Sequence, residues 1–300
     1  ARELAYICND SEAKVLFVHE SLEETARSAD LQSVETLIVI GKDFDAWRDK
    51  AKPNYPGLAL EEWDVFCIPY TSGTTGNPKG CLLPHRSRTM AFYNTAVEFG
   101  CYTPDDRALA IAPLFHGAGF AFALAPIFFG GYCEILPKYD PEEVLRLVSE
   151  LNLSNIFMVP THFHAMFSMG PKVLGKYATD SLHTIISNAA PLPQDTKERI
   201  VARFGGGVLH ETYGSTEAGC VTNLRPDDQL RKQSCVGLPY PCTLVRLNDE
   251  DGNEVAPGEV GELFTASPFL FNGYWHRPEE TGAALADATA HADDARGGGD

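Results

Sequence analysis

The chain is 300 residues long and carries 41 acidic against 24 basic side chains, a formal net charge of −17. A chain of this size buries a sizeable core as one large domain or two smaller ones, and the absence of clustered Lys and Arg argues against a nucleic-acid backbone as partner. The eight cysteines, Cys8, Cys67, Cys81, Cys101, Cys133, Cys220, Cys235 and Cys242, show no CxxC pair or regular framework, and are read as reduced thiols of a cytoplasmic protein.

Apolar β-branched runs alternate with helical patterns from the start. Lys14 to Val18 reads as a strand, Leu22 to Ser28 as a charged helix, and Thr36 to Ile40 and Val65 to Pro69 as strands. The alternation continues with a helix near Arg86 to Phe99, a strand near Ala108 to Ala112, a helix near Phe120 to Phe129 and a strand near Cys133 to Leu136. A helix from Pro141 to Leu151 follows, its first turn set by Pro141, Glu142 and Glu143. Asn155 to Val159, Thr184 to Ser187 and Val208 to His210 read as buried strands, with helices after Pro160 and after Pro193. This is βαβ punctuation, and it predicts an α/β fold, doubly wound around mostly parallel strands.

Ala108 to Cys133 contains no Asp, Glu, Lys or Arg, but Pro113, Gly117, Gly119, Pro126, Gly130 and Gly131 break it into short elements, so no transmembrane segment is expected. From Cys235 the texture changes. Leu244 to Leu247, the Asp251-Gly252 turn and Val260 to Phe264 predict a small antiparallel or barrel-like subdomain over residues 235–285, distinct from an α/β part over 1–234. Residues 286–300 are low-complexity Ala, Asp and Gly and are expected to be disordered. Ala1 is not an initiator methionine, so the start is expected to be processed or a fragment boundary.

Tyr70 to Gly80, YTSGTTGNPKG, follows an apolar run and places three glycines, four Ser or Thr hydroxyls and one lysine in eleven positions. Glycines allow backbone N–H groups to form an anion-binding nest, the hydroxyls add donors, and Lys79 adds a cation for a polyphosphate. It is not a Walker A loop, because Pro78 and Gly80 flank Lys79 where that motif needs Gly and a hydroxyl. His162 and His164 bracket Phe163 without a further Cys/His partner at zinc spacing.

Four more segments follow in order: APLFHGAGF at Ala112 to Phe120, SNAAPLP at Ser187 to Pro193, YGSTEAG at Tyr213 to Gly219, and GELF followed by GYWHRPEET up to Thr281. Together with the Tyr70 to Gly80 run they resemble the adenylate-forming, AMP-binding superfamily, most of all acid:CoA ligases of the coumarate and fatty-acid type. The resemblance runs from about Leu4 to Leu285. It implies the fold of that superfamily's N-terminal domain and the ATP- and Mg²⁺-dependent activation of a fatty or aryl carboxylic acid to acyl-AMP, then transfer to coenzyme A.

Carried onto this chain, the resemblance gives Thr71, Ser72, Gly73, Thr74, Thr75, Gly76 and Lys79 to the β- and γ-phosphates. Tyr213 would stack on adenine, Thr216 would bond the α-phosphate, and Glu217 would hold Mg²⁺; Gly214 and Ser215 belong to the same nucleotide-binding run. Ala190 and Pro191 would form, with Ala189, a small-residue wall for adenine and the acyl carboxylate, and Glu211 and Thr212 would meet the adenine edge. Lys79, His116, Thr216 and Glu217 form the expected catalytic set. Amino-acid adenylation domains carry an aspartate at the position of His116, which pairs with the substrate ammonium; burying that ammonium without a counter-charge is costly, so histidine points to an acid lacking the amine. The expected acyl pocket is Phe115, His116, Gly117, Gly119, Phe120, His162, Phe163, Ala189, Ser215 and Val221, largely apolar and aromatic.

The chain also departs from the family. It shows no TGD-type aspartate for the ribose, no hinge and no C-terminal domain with a catalytic lysine, and it begins late. It is therefore expected to be truncated at both ends, with adenylation severely impaired and thioester formation absent. An adenylate-former that loads a carrier protein, and a noncatalytic remnant that binds ATP or an acyl group, are the alternatives.

Overall fold

A computed structural model describes residues 1–71 and 76–285; Ser72, Gly73, Thr74 and Thr75 of the glycine-rich run, and the 286–300 tail, lie outside the described residues. The chain divides into two compact units, Ala1–Leu82 with Gly273–Asp300, and Leu83–Asn272. Residues 235–272 belong to the second unit.

In the first unit α1 (Arg2–Asp10) precedes β1 (Val15–His19), α2 (Glu23–Arg27), β2 (Thr36–Ile40) and α3 (Phe44–Arg48). β1 and β2 are parallel, in register from Val15↔Thr36 to His19↔Ile40, and Val18 and Val39 bury one face against Ala26 of α2. Phe17 meets Phe44 and Trp47 at ring distances of 6.0 and 5.2 Å. β3 (Val65–Cys67) leads to β4 (Tyr70–Thr71) and β5 (Lys79–Gly80), an antiparallel pair in which Thr71 faces Lys79.

The second unit begins with β6 (Leu83–Pro84) and α4 (His85–Phe99), followed by β7 (Arg107–Ala110), α5 (Gly117–Phe128), β8 (Tyr132–Ile135), α6 (Pro141–Leu151), β9 (Asn155–Met158), α7 (Pro160–Ser168) and α8 (Pro171–Leu174). Then come β10 (Thr184–Ser187), α9 (Gln194–Phe204), β11 (Leu209–Ser215), β12 (Gly219–Leu224), β13 (Leu238–Pro239), β14 (Leu244–Asn248) and β15 (Glu262–Ala266); α10 (Pro278–Ala284) belongs to the first unit. The start of α6 is built as its sequence predicts: Asp140 accepts from the Glu143 N–H at 2.9 Å, with Pro141 next to the cap. The expected β region after Cys235 contains the antiparallel pair β14–β15, in register from Leu244↔Ala266 to Asn248↔Glu262.

The main sheet has the order β13-β12-β11-β10-β9-β7-β8, with β8, β7, β9, β10 and β11 parallel and β12 and β13 antiparallel at one edge. Alternate strand residues feed two cores. Leu109, Ile156, Met158, Ile185 and Leu209 pack with Leu145, Val148, Phe163, Met166 and Ile200 of α6, α7 and α9. Ala108, Phe157 and Ile186 pack on the other face with Phe92, Phe99, Phe122 and Ala125 of α4 and α5. The chain steps from β7 outward to β8 and then back across to β9, so the winding direction reverses between β7 and β9, the place where open α/β sheets bind ligands at their carboxyl ends.

The opposite, amino-terminal edge is tied by polar groups. Asp106 Oδ1 accepts from Ser154 Oγ at 2.7 Å and lies 3.0 Å from His183 Nε2. Burial alone would raise the Asp106 carboxyl, but hydrogen bonds from Ser154, Thr103 and His183 outweigh it and hold the group below the usual carboxylate range.

Candidate functional site

In the first unit, the described ends of the glycine-rich run form the antiparallel pair β4–β5. These ends are pinned to α1: the Tyr6 hydroxyl donates to the Pro78 carbonyl at 2.8 Å, and the Tyr70 hydroxyl donates to Asp10 Oδ2 at 2.7 Å. Asp10 also receives the Trp275 indole N–H on its carbonyl at 2.8 Å and pairs with Arg277 at 3.3 Å. Burial and the hydrogen bond to Asp10 push the Tyr70 phenol well above its ordinary range. Lys79 Nζ sits 4.3 Å from the ring centroid of Tyr274 in the Gly273-Tyr274-Trp275 segment, an electrostatic contact that holds the ammonium against that segment.

In the second unit, a cavity of about 260 Å³ opens on the α4/α5 face of the sheet, lined by residues from α4, α5, the loop after β10 and the β11–β12 turn. Of the expected site residues it gathers His116, Gly117, Ala189, Gly214, Ser215 and Thr216. His116 is the N-cap of α5, its Nδ1 accepting from the Ala118 N–H at 3.3 Å. A Cβ on Gly119 would lie 2.2 Å from the Pro113 carbonyl oxygen, so glycine is what lets the first turn of α5 close onto the loop before it.

The Tyr213–Gly219 motif lies on a hairpin. The strand expected to stop at His210 continues to Ser215, and Thr216, Glu217 and Ala218 form the turn into β12, closed by the Ala218 N–H donating to Ser215 Oγ at 3.1 Å. The register shifts at Tyr213/Gly214, where a Cβ on Gly214 would lie 2.0 Å from the Gly219 carbonyl oxygen; the bulge re-aims the side chains that follow. The Glu217 carbonyl accepts from the Phe271 N–H at 2.9 Å. Tyr213 is half-exposed, and Ala190 and Pro191 are exposed on the loop after β10.

In that loop Ala189 holds φ at +75°, its N–H bonded to Asn188 Oδ1, and Asn188 Nδ2 donates to Thr212 Oγ1 at 2.5 Å. A non-glycine residue in the left-handed region costs backbone energy that the surrounding contacts must offset. Asn188 supplies them.

Several expected pocket residues lie elsewhere. Phe163 is fully buried in the α6/α7/α9 core, on the other face of the sheet, because the 3.6-residue period of α7 puts it with Met166 and Phe167. His162 stacks on Tyr139 at 4.2 Å and accepts from the Val159 N–H at 3.3 Å, and burial lowers its pKa. Phe115 is 86% exposed, Val221 is buried outside the cavity lining, and neither Phe120 nor Gly119 lines it. Glu211, expected at the adenine edge, accepts from the Leu192 N–H at 2.9 Å and forms an ion pair with Lys197, both partners being buried. Thr212 is held by Asn188 rather than turned into the cavity.

Sequence reasoning missed Arg88, Ala91, Phe92 and Thr95, which line the cavity from one face of α4, and Ala121, Phe122, Asn188 and Cys220. The spacing of the α4 residues, i, i+3, i+4 and i+7, is the signal that would have found the first group. Burial pushes the Cys220 thiol up to about 11, so it stays protonated at neutral pH. Among the described residues no group of three or more His, Cys, Asp or Glu is gathered for a metal ion, and no helix is long and apolar enough to cross a membrane.

Residues 1–275 match the family model of AMP-binding enzymes. The chain is 35% identical over 294 residues to a feruloyl-CoA synthase of an Amycolatopsis species, covering 97% of this chain and 58% of that protein. It is 30% identical over 309 residues to the medium/long-chain-fatty-acid–CoA ligase FadD8 of Mycobacterium tuberculosis, covering 97% and 53%. Among solved structures, ATP-bound MatB from Rhodopseudomonas palustris superimposes with a TM-score of 0.83 at 28% identity, covering 95% of this chain and 56% of that one. The chain thus spans about half the length of the relatives it matches.

Proposed function

The chain belongs to the AMP-binding enzyme family, and from that premise we propose that it serves the ATP-dependent activation of a carboxylic acid, aryl or fatty, to acyl-AMP and, in the whole protein, to an acyl-CoA. The observation that carries this reading is the cavity that brings His116, Gly117, Ala189, Gly214, Ser215 and Thr216 together on the α4/α5 face. Loop residues after β10 and the β11–β12 turn form one part of its wall, and apolar residues of α4 and α5 form another, as an acid with one polar reacting end and one apolar tail requires.

In the reaction, a carboxylate oxygen attacks the α-phosphorus of ATP while the bond to pyrophosphate breaks, so negative charge gathers on phosphate oxygens. The Thr216 hydroxyl donates to an α-phosphate oxygen. The family resemblance gives the Lys79 ammonium to the β- and γ-phosphates, whose charge a cation offsets. Tyr213, half-exposed on β11, offers its face to adenine. His116 closes the first turn of α5 at the acyl end without adding a carboxylate, which suits a substrate with no ammonium group. Mg²⁺ fits the donor set at Glu217 only together with nucleotide oxygens, since one carboxylate plus phosphates and water is its ordinary environment; when bound, it offsets phosphate charge. Coenzyme A is the proposed acceptor, in keeping with the CoA ligases among the relatives.

Calorimetric titration with benzoyl-, hexanoyl- and dodecanoyl-sulfamoyladenosine tests the reading without turnover. At least one mimic is expected to bind, and Thr216→Val is expected to weaken it by about tenfold through loss of one hydrogen bond to a charged oxygen. A folded chain that binds none of the three, nor ATP with Mg²⁺, would falsify it.

A further inference from the structure

The loop after β10 carries Ala189, Ala190 and Pro191 and is fastened to β11 at both ends. At its entry Asn188 Nδ2 donates to Thr212 Oγ1 at 2.5 Å, and the Thr212 hydroxyl donates to the Ser187 carbonyl at 3.4 Å. At its exit the Leu192 N–H donates to Glu211 Oε1 at 2.9 Å, and Glu211 Oε2 pairs with Lys197 Nζ of α9. Pro191 and Pro193 have no N–H, so Leu192 carries the one backbone donor between Ala190 and Gln194, and no ladder of main-chain bonds can hold this stretch. Lys197 and Glu211 are 2% and 7% exposed. Two charges are a costly way to fill such a place, since an apolar pair of similar volume is often at least as stable. An apolar pair could fill the space but could not accept from Leu192. Lys197 fixes the carboxylate by its second oxygen, while the first takes the Leu192 N–H.

We propose that Lys197 and Glu211 are positioning residues for the nucleotide end of the reaction: their buried pair sets where the wall of Ala189, Ala190 and Pro191 stands, and so the affinity for the adenosyl part of the acyl-adenylate. This rests on the acid-activation reading above. Neither side chain lines the cavity, and neither takes part in the bond changes at phosphorus. Glu211 acts through the Leu192 N–H, and Lys197 acts through Glu211.

The test replaces the pair in two ways and reads binding of benzoyl-, hexanoyl- and dodecanoyl-sulfamoyladenosine by calorimetry on the full chain. Lys197→Gln with Glu211→Gln keeps a carbonyl acceptor for the Leu192 N–H and is expected to bind within about threefold of the unaltered chain, whereas Lys197→Met with Glu211→Leu removes the acceptor and is expected to bind about tenfold more weakly. The loss is expected to be the same for every tail that binds, because it arises at the adenosyl end. The urea midpoint of the apolar variant is expected to stay close to that of the unaltered chain, which separates positioning from stability. Amide hydrogen exchange needs no variant: in the unaltered chain the Leu192 N–H is expected to exchange at least about 100-fold more slowly than a free amide, and this decides even where the apolar variant does not fold. Equal affinities of the two double variants, a loss confined to one tail, or unprotected exchange at Leu192 overturns the proposal and leaves acid activation standing. Binding of none of the mimics by the folded, unaltered chain removes both readings together.

Discussion

The two faces of the central sheet are made from neighbouring residues of the same strands, yet one is filled and the other is hollow. On the α6/α7/α9 face, Leu145, Val148, Phe163, Met166, Ile185 and Ile200 are buried nearly completely. On the α4/α5 face, small residues stand where the helices approach the sheet ends, Ala91, Gly117, Ala118 and Ala121, and a cavity of about 260 Å³ remains. The polar groups differ in the same way. The filled face buries a closed ion pair, Lys197 with Glu211, while the hollow face holds Arg88 at the cavity and His210, whose ring meets Phe99 at 5.0 Å and Asn223 at 3.0 Å. One backbone plan therefore supports a stability layer and a binding layer, and side-chain volume decides which is which.

The comparison breaks most strongly at Phe163. Truncation to alanine removes a large buried ring from the filled face and is expected to cost about 3–5 kcal/mol in urea denaturation, whereas Phe115→Ala, on the exposed loop, is expected to stay within about 0.5 kcal/mol. Equal effects would mean that the two expected pocket aromatics do not differ in environment.

Next in size is a pH effect on the hollow face. Burial lowers the His210 pKa from 6.5 to about 4. The folded value lies below the unfolded one, so its contribution is fully present above pH 6.5 and is lost as pH falls toward 4, by about 3 kcal/mol in all. His210→Gln is expected to flatten that limb of the stability profile, read as urea midpoints between pH 7 and 4; an unchanged slope would show that His210 titrates normally. Asp106 on the amino-terminal edge, held below the usual range, adds a loss at still lower pH.

The smallest expected effect sharpens the contrast most. Ala121→Phe adds a ring toward the cavity and is expected to alter stability by less than about 1 kcal/mol, whereas Val148→Phe, in the filled core, is expected to cost about 1–3 kcal/mol. Ala121→Phe should also weaken the acyl-sulfamate that binds best by more than tenfold. A large loss of stability at Ala121 would show that the wall cannot accept volume.

Much of this was legible in the chain itself. Thr36 to Ile40, Pro141 to Leu151 and Thr184 to Ser187 are found where pattern and capping place them, because short apolar runs, Pro at a first turn and Asp at a cap act locally. The glycine-rich run and the Tyr213–Gly219 motif were readable for the same reason, being contiguous. The continuation of β11 past His210 was hidden, since Tyr213 to Ser215 become a strand only by pairing with β12.

By itself, the sequence determined the α/β alternation, the family and the residue types available for phosphate and acid. Tertiary structure decided which of them face the cavity. Crossovers between parallel strands are right-handed, so the direction of each step, β7 to β8 or β9 to β10, sets the face its helix covers. That step put α5 with His116 on the hollow face and α7 with Phe163 on the filled one, while only the packing of α4 decided that its Arg88, Ala91, Phe92 and Thr95 face the cavity.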